Sequence, residues 1–173
     1  MYVIMRKAGF LSPKRCRPMG VGAGNNFKSD KTVYSTPLAL FKPICDEFSL
    51  ELDVCASPEN HKCPVYFTEE NDAFKQDWVG NCWMNPPFGS DLQKWVKRAR
   101  DEAIKHGGTK VCLIPVRSNT RWWADVIKDA EIRFITGEVN FNEAERGLWL
   151  PLCFLIFGDK AKVGKFSSVV YKK

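Results

Sequence analysis

Long apolar runs are missing from this 173-residue chain. No stretch approaches the roughly 20 apolar residues that a membrane-spanning helix requires, so no membrane association is expected. Met1 to Met5 is too short for the apolar core of a signal peptide, and its charges follow it rather than precede it. Together these absences predict a cytoplasmic protein. Cys-x-x-Cys is absent as well. The seven cysteines, at 16, 45, 55, 63, 82, 112 and 153, are odd in number and scattered, mostly within apolar runs such as Val111-Cys112-Leu113. Reduced, buried thiols are expected, not a disulfide framework. The spacing of Cys55, His61 and Cys63 matches no common zinc pattern, so no metal is expected. Internal repeats are lacking too.

What is present fits one domain. The apolar fraction of 45% is enough to build a core. Charge is unevenly placed. Residues 1–31 hold seven Lys/Arg (Arg6, Lys7, Lys14, Arg15, Arg17, Lys28, Lys31) against Asp30 alone, a surplus that equals the whole formal net charge of +6. Such an arm attracts phosphate backbones without reading sequence; the same composition also describes a solvated tail. Gly20, Gly22 and Gly24 favour a flexible linker, and no strand precedes them to make a nucleotide-binding loop. The expected division is a basic arm over 1–32 and a single catalytic domain over 33–173.

The folded part is expected to start near Ser35. Thr36 suits an N-cap and Pro37 a first helical position. Leu38, Phe41, Ile44, Cys45 and Phe48 then recur at helical spacing, with Pro43 predicting a kink or an early stop. Leu50, Leu52 and Val54 alternate with polar residues and predict a short strand, with Asp53 at its end. A strand over Val79 to Met84 leads into Asn85-Pro86-Pro87-Phe88. Ser90 and Asp91 can cap a helix to about His106, with Leu92, Trp95, Val96, Ala99, Ala103 and Ile104 buried and Lys94, Lys97, Arg98 and Arg100 on the wet or phosphate-facing side. Lys110 to Val116 is apolar enough for a strand covered on both faces, and Arg117 to Thr120 follows at its carboxyl end. A helix over Arg121–Lys128, a strand over Glu131–Ile135 and a polar loop over Gly137–Gly147 come next. Leu148–Phe157 and Ser167–Tyr171 are expected to pair antiparallel at a sheet edge. Strands alternating with helices predict an α/β fold, with a mostly parallel sheet and helices on both faces.

Chemistry concentrates in the corner after Met84. Prolines cannot continue a central strand, and the residue before each is pushed away from helical geometry. Asn85 and Pro86 should therefore form a stiff turn at a strand end, where ligands of open α/β sheets bind. The Asn85 side-chain carbonyl and the Pro86 backbone carbonyl then offer two acceptors beside the flat face of Phe88. Such a pair suits a planar amine, for example adenine N6, whose delocalised lone pair makes it a poor nucleophile. Two acceptors on its protons would localise that lone pair for methylation. A Pro-Pro loop with a core phenylalanine is the bland reading of the same four residues. Methylation of cytosine C5 would call for a cysteine nucleophile, usually after proline, and no Pro-Cys dipeptide occurs.

Several motifs in order resemble one family. Ser35-Thr36-Pro37, Leu40-Phe41, Leu52-Asp53-Val54-Cys55-Ala56, Asn60, Cys63, Tyr66-Phe67-Thr68, Asp72, Trp78, Asn85-Pro86-Pro87-Phe88-Gly89, Pro115-Val116-Arg117 and Thr120-Arg121-Trp122 are similar to the phage-type, Dam-like DNA N-6-adenine methyltransferases. The resemblance covers most of residues 33–157. It implies a Rossmann-like methyltransferase fold, S-adenosylmethionine as cofactor, DNA as partner, and a phage- or prophage-encoded enzyme acting in a bacterial cytoplasm. It further implies that Thr36 and Pro37 close over the methionine end of the cofactor, with Asp53 near its amino group and Cys55 and Ala56 alongside. Glu69 or Glu70 would take the ribose hydroxyls, and Asp72 would accept from the cofactor's adenine amine. Asn85, Pro86, Pro87 and Phe88 would be the catalytic corner, and Arg117, Thr120 and Arg121 would contact DNA. The Phe-x-Gly-x-Gly loop of related enzymes is replaced here by Cys55-Ala56-Ser57-Pro58.

The expected reaction is direct attack by a flipped-out adenine. Methyl transfer to cytosine N4 or to a protein glutamine amide is the alternative within the same chemistry. A non-catalytic DNA-binding relic of the fold is the alternative outside it.

Overall fold

The computed structural model describes residues 35–141 and 150–171. The basic arm, Cys16, residues 142–147 of the polar loop and Leu148-Trp149 lie outside the described residues. The helices are α1 (Leu38–Phe48), α2 (Leu92–His106) and α3 (Arg121–Val126). The strands are β1 (Leu52–Asp53), β2 (Val65–Tyr66), β3 (Cys82–Met84), β4 (Thr109–Pro115), β5 (Glu131–Thr136), β6 (Leu152–Gly158) and β7 (Phe166–Val170). Among the described residues the seven strands make one sheet in the order β2-β1-β3-β4-β6-β5-β7. β1 pairs parallel with β2 and β3, β3 with β4, and β5 with β7; β6 runs antiparallel to both β4 and β5. One reversed strand thus sits in an otherwise parallel sheet.

Residue alternation along the central strands divides the core in two. Cys82, Met84, Cys112, Ile114, Cys153, Leu155 and Phe157 face one side with Leu92, Val96, Ala99 and Ala103 of α2 and Trp123 and Val126 of α3. Trp83, Val111, Leu113, Phe154 and Ile156 face the other with Leu40, Phe41, Ile44 and Phe48 of α1. Both faces are therefore covered, and β4 is buried along its whole length, as its unbroken apolar run requires. No helix among the described residues is long and apolar enough to cross a membrane.

The antiparallel element is not an edge pair. β6 lies inside the sheet between β4 and β5, and β7 is a parallel edge strand beside β5. Neighbours in sequence usually pair; here the continuous burial of Leu152–Phe157 prevails, because only an interior strand covers both of its faces. Pro43 does not stop α1, which runs on to Phe48. Burial of Phe41, Ile44 and Phe48 outweighs the one ladder bond that proline lacks. The N-cap of α1 is Pro37, without a side-chain cap bond, so Thr36 stands one place before it. In α2, Ile104 is 76% exposed and Glu102 is buried in its place. Arg98 pairs with Glu102 at 2.9 Å, and Arg100 with Asp101 and Asp125, so these two arginines serve the fold.

Two glycines close the rim opposite the strand ends that carry the site. Gly108 (φ +68) and Gly158 (φ +94) bring chain segments together so closely that a Cβ would lie 2.3 Å from the Gly80 oxygen and 1.9 Å from the Gly108 oxygen, respectively. Lys110 is buried beside them and donates to the Gly80 and Gly107 carbonyls at 2.6 and 2.8 Å.

Candidate active site

β1 to β5 all point the same way, so their carboxyl ends share one rim. Onto it the chain delivers Asp53 to Ala56, Glu69 to Asp72, Asn85 to Phe88, Arg117 to Arg121 and residues 137–141. The ladder ends at Met84, and Asn85 leaves it as the prolines require. Asn85 is half-buried, Pro86 buried, Pro87 exposed and Phe88 half-buried. The Asn85 Nδ2 donates to Thr36 Oγ1 at 3.0 Å, and Thr36 is only 3% exposed. The amide's donor end is thus committed to a residue 49 positions earlier. Phe88 meets Phe141 edge-on, with centroids 6.2 Å apart, which ties the start of the 137–147 loop to the corner.

Asp53, at the end of β1, is buried. It is 3% exposed, level with Trp83 across the ladder. Its Oδ1 accepts from the Cys55 N–H at 3.2 Å and its Oδ2 from the Lys62 N–H at 3.0 Å. Burial raises its pKa, and the two backbone donors oppose that rise. Asp53 thereby pins both ends of the 55–62 loop. Lys62 also reaches Ser35 Oγ with its Nζ, at 3.1 Å, so the loop is strapped to the segment carrying Thr36. Burial pushes the Cys55 and Cys63 thiols up to about 12. His61 bonds the Cys63 carbonyl at 3.0 Å and stacks on Tyr66.

Asp72 has a left-handed backbone (φ 50), an uncommon state for a non-glycine residue. Its carboxylate caps the Phe74 N–H at 3.1 Å and pairs with Lys75 at 3.0 Å; the Lys75 hydrogen bond lowers its pKa. Glu69 and Glu70 are both exposed on the turn after β2. Arg117 is half-buried and Arg121 exposed. Thr120 folds its N–H and hydroxyl onto the Arg117 carbonyl at 2.9 and 2.8 Å, which holds the turn in shape. A separate concavity of about 400 Å³ lies at the β5–β7 end, where Arg133 pairs with both Glu47 and Glu131.

The corner and rim meet a family signature here: residues 23–150 match the family described as DNA N-6-adenine-methyltransferase (Dam). The chain belongs to this family. It is 33% identical over 154 residues to the DNA N-6-adenine-methyltransferase of Haemophilus phage HP1, covering 83% of this chain and 88% of that protein. It is 28% identical over 138 residues to the DNA N-6-adenine-methyltransferase of Escherichia phage T1, covering 72% of this chain and 57% of that protein. The match spans the stretch from Thr36 to Arg121, and Arg6 to Arg17 of the basic arm lie before it.

Spacing along the chain could not have found the contacts of Thr36 with Asn85, Ser35 with Lys62, or Phe88 with Phe141. Each joins segments whose proximity is made by the sheet. Thr36 carried a local signal, a threonine before a helix, which pointed to a cap and not to this bond.

Proposed function

We propose that this Dam-family chain transfers a methyl group from S-adenosylmethionine to the exocyclic N6 of adenine in DNA, on a Rossmann-like methyltransferase fold in a bacterial cytoplasm. The observation that carries the proposal is the Asn85–Phe88 corner at the end of β3, with the amide's donor end held by Thr36 at 3.0 Å. Asn85 Oδ1 would serve as an acceptor toward an incoming amine.

The donor set of the rim suits the cofactor. S-adenosylmethionine carries an ammonium, a ribose diol and an adenine amine, all of which donate hydrogen bonds. Asp53, Glu69 or Glu70, and Asp72 are acceptors on adjacent strand ends. An ionised carboxylate has about four lone-pair sites, so Asp53 keeps capacity beyond its two backbone donors. Thr36, Pro37, Cys55 and Ala56 would line the same space. When bound, the cofactor supplies the electrophilic methyl group.

The protein's own part is positioning. Asn85 Oδ1 and the Pro86 carbonyl accept the two N6 protons of the target adenine and draw its nitrogen toward a tetrahedral shape. Pro87 keeps the corner stiff, and Phe88 stacks on the ring. Holding the nitrogen aligned supplies much of the rate, and no covalent intermediate with the protein forms. The adenine reaches the corner only outside the duplex stack. Arg117, Thr120 and Arg121, on the neighbouring strand end, would hold the backbone, and the 1–32 arm adds positive charge for phosphates.

The deciding experiment is incubation with methyl-labelled S-adenosylmethionine and unmethylated duplex DNA, followed by digestion to nucleosides and mass analysis. Label in N6-methyladenine is expected. Label in N4-methylcytosine would overturn the base assignment, and intact cofactor binding without label in DNA would overturn the substrate.

A further inference from the structure

We infer that the Lys62 ammonium holds the carboxylate of the cofactor's methionine end, beside Asp53; this rests on the reading of S-adenosylmethionine as the cofactor given above. The acids of the rim suit those cofactor groups that donate hydrogen bonds. The methionine end is a zwitterion, however, and its carboxylate only accepts. A site lined by acids alone would repel it, so it calls for a cation.

The segments after β1 and β2 carry His61, Lys62 and Lys75 as their basic residues. Lys75 is paired with Asp72, and His61 bonds the Cys63 carbonyl and stacks on Tyr66. Arg117 and Arg121 follow β4, two strands away from β1 in the sheet. Lys62 differs from all of these. Its backbone N–H donates to Asp53 Oδ2 at 3.0 Å, which fixes the residue beside the acid given to the cofactor's ammonium. Its Nζ donates to Ser35 Oγ at 3.1 Å, next to Thr36 and Pro37 of the segment that would cover the methionine end. Among the described residues Nζ makes no ion pair with a carboxylate. An ammonium has three donors, so two remain for a ligand. Lys62 is half-buried, where a charge pair is screened less than in open water. The two charges of the zwitterion sit on one carbon, so their partners have to stand close together. An acid bonded to the backbone of the cation's own residue meets that condition. The Ser35 bond by itself would make Lys62 only a strap for the 55–62 loop, and the experiment separates the two roles.

Calorimetry on the full chain uses two ligands, S-adenosylhomocysteine and its decarboxylated counterpart, which differ in the carboxylate alone. Lys62→Met and Lys62→Gln remove the charge and leave the backbone N–H on Asp53; Lys62→Arg keeps the charge. S-adenosylhomocysteine is expected to bind about 10- to 100-fold more weakly to Lys62→Met than to wild type, the range for a charge-assisted hydrogen bond. The decarboxylated ligand should bind both proteins about equally, so the penalty for removing the carboxylate shrinks by the same factor. Lys62→Arg should keep most of that penalty. An equal loss for both ligands would make Lys62 a strap and overturn the inference. So would an undiminished carboxylate penalty, or a loss confined to duplex DNA affinity by fluorescence anisotropy, which would give the charge to a phosphate. Failure of both Lys62→Met and Lys62→Gln to fold, read from the melting temperature, assigns the charge to stability and overturns it equally. A wild-type protein that binds neither S-adenosylmethionine nor S-adenosylhomocysteine would instead remove the cofactor reading itself. Wild-type binding of both, beside a Lys62→Met with the full carboxylate penalty, would remove only the role given to Lys62.

Discussion

Asn85 and Glu102 show how much one polar side chain decides. In the proposed reaction Asn85 would offer one of two acceptors for the target nitrogen, and removing a preorganised partner of this kind typically costs on the order of 10²-fold in kcat. Asn85→Ala is therefore expected to lose about that much or more in a labelled-methyl assay, while its melting temperature stays close to wild type. Glu102 acts on stability instead. It is 1% exposed, accepts from the Trp78 N–H at 2.6 Å and pairs with Arg98 at 2.9 Å. Replacing it with alanine strands a buried N–H and a partly buried guanidinium. A loss of about 3–5 kcal/mol in urea denaturation is expected, without a change in the chemistry at the corner. A loss below about 1 kcal/mol would mean that water satisfies both groups.

At the scale of elements, α1 is held to the sheet by two means. Its apolar face packs on Trp83 and Phe154, and Glu47 near its end makes a two-pronged ion pair with Arg133 of β5, at 2.6 and 2.7 Å. The Arg133 hydrogen bond lowers the Glu47 pKa from its ordinary 4.5, and Arg133 is raised by the same partner. A carboxyl lowered in the native state stabilises the fold above its unfolded pKa, and loses that contribution as pH falls through the native value. Glu47 is 45% exposed, so solvent screening holds the contribution to about 0.5–1 kcal/mol. Glu47→Gln should be less stable than wild type by that amount at pH 7, and the gap should close as pH falls below about 4.5. Denaturant titrations at several pH values would show it; a gap independent of pH would assign the effect to packing.

The whole molecule places its charge unevenly. The seven Lys/Arg of residues 1–31, less Asp30, match the net +6 of the whole chain, and Arg117 and Arg121 stand on the rim that carries the corner. Each phosphate contact contributes about 0.9 to the slope of log affinity against log salt. Arg117→Ala with Arg121→Ala should therefore flatten that slope by about 2, measured by fluorescence anisotropy with duplex DNA at several salt concentrations. An unchanged slope would take these arginines out of the DNA contact.

Much of this molecule was legible in its sequence. Apolar periodicity marked α1, α2 and the fully covered β4, because burial on one helical face or on both strand faces leaves a direct pattern. The Asn85-Pro86-Pro87-Phe88 corner could be placed at a strand end, because proline lacks the N–H that a ladder needs. Strand order was decided only by the tertiary structure. β6 reads as the partner of β7 along the chain, yet it enters the sheet between β4 and β5 because its two apolar faces need cover on both sides. The use of single polar groups was decided there too. Asp53 reads as a strand-end acid, and only the fold shows that it is buried and latches the 55–62 loop. Thr36 reads as a helix cap and holds Asn85. Local sequence determines which conformations a segment favours, whereas a hydrogen bond spanning 49 residues exists only once the sheet has brought both partners to one rim.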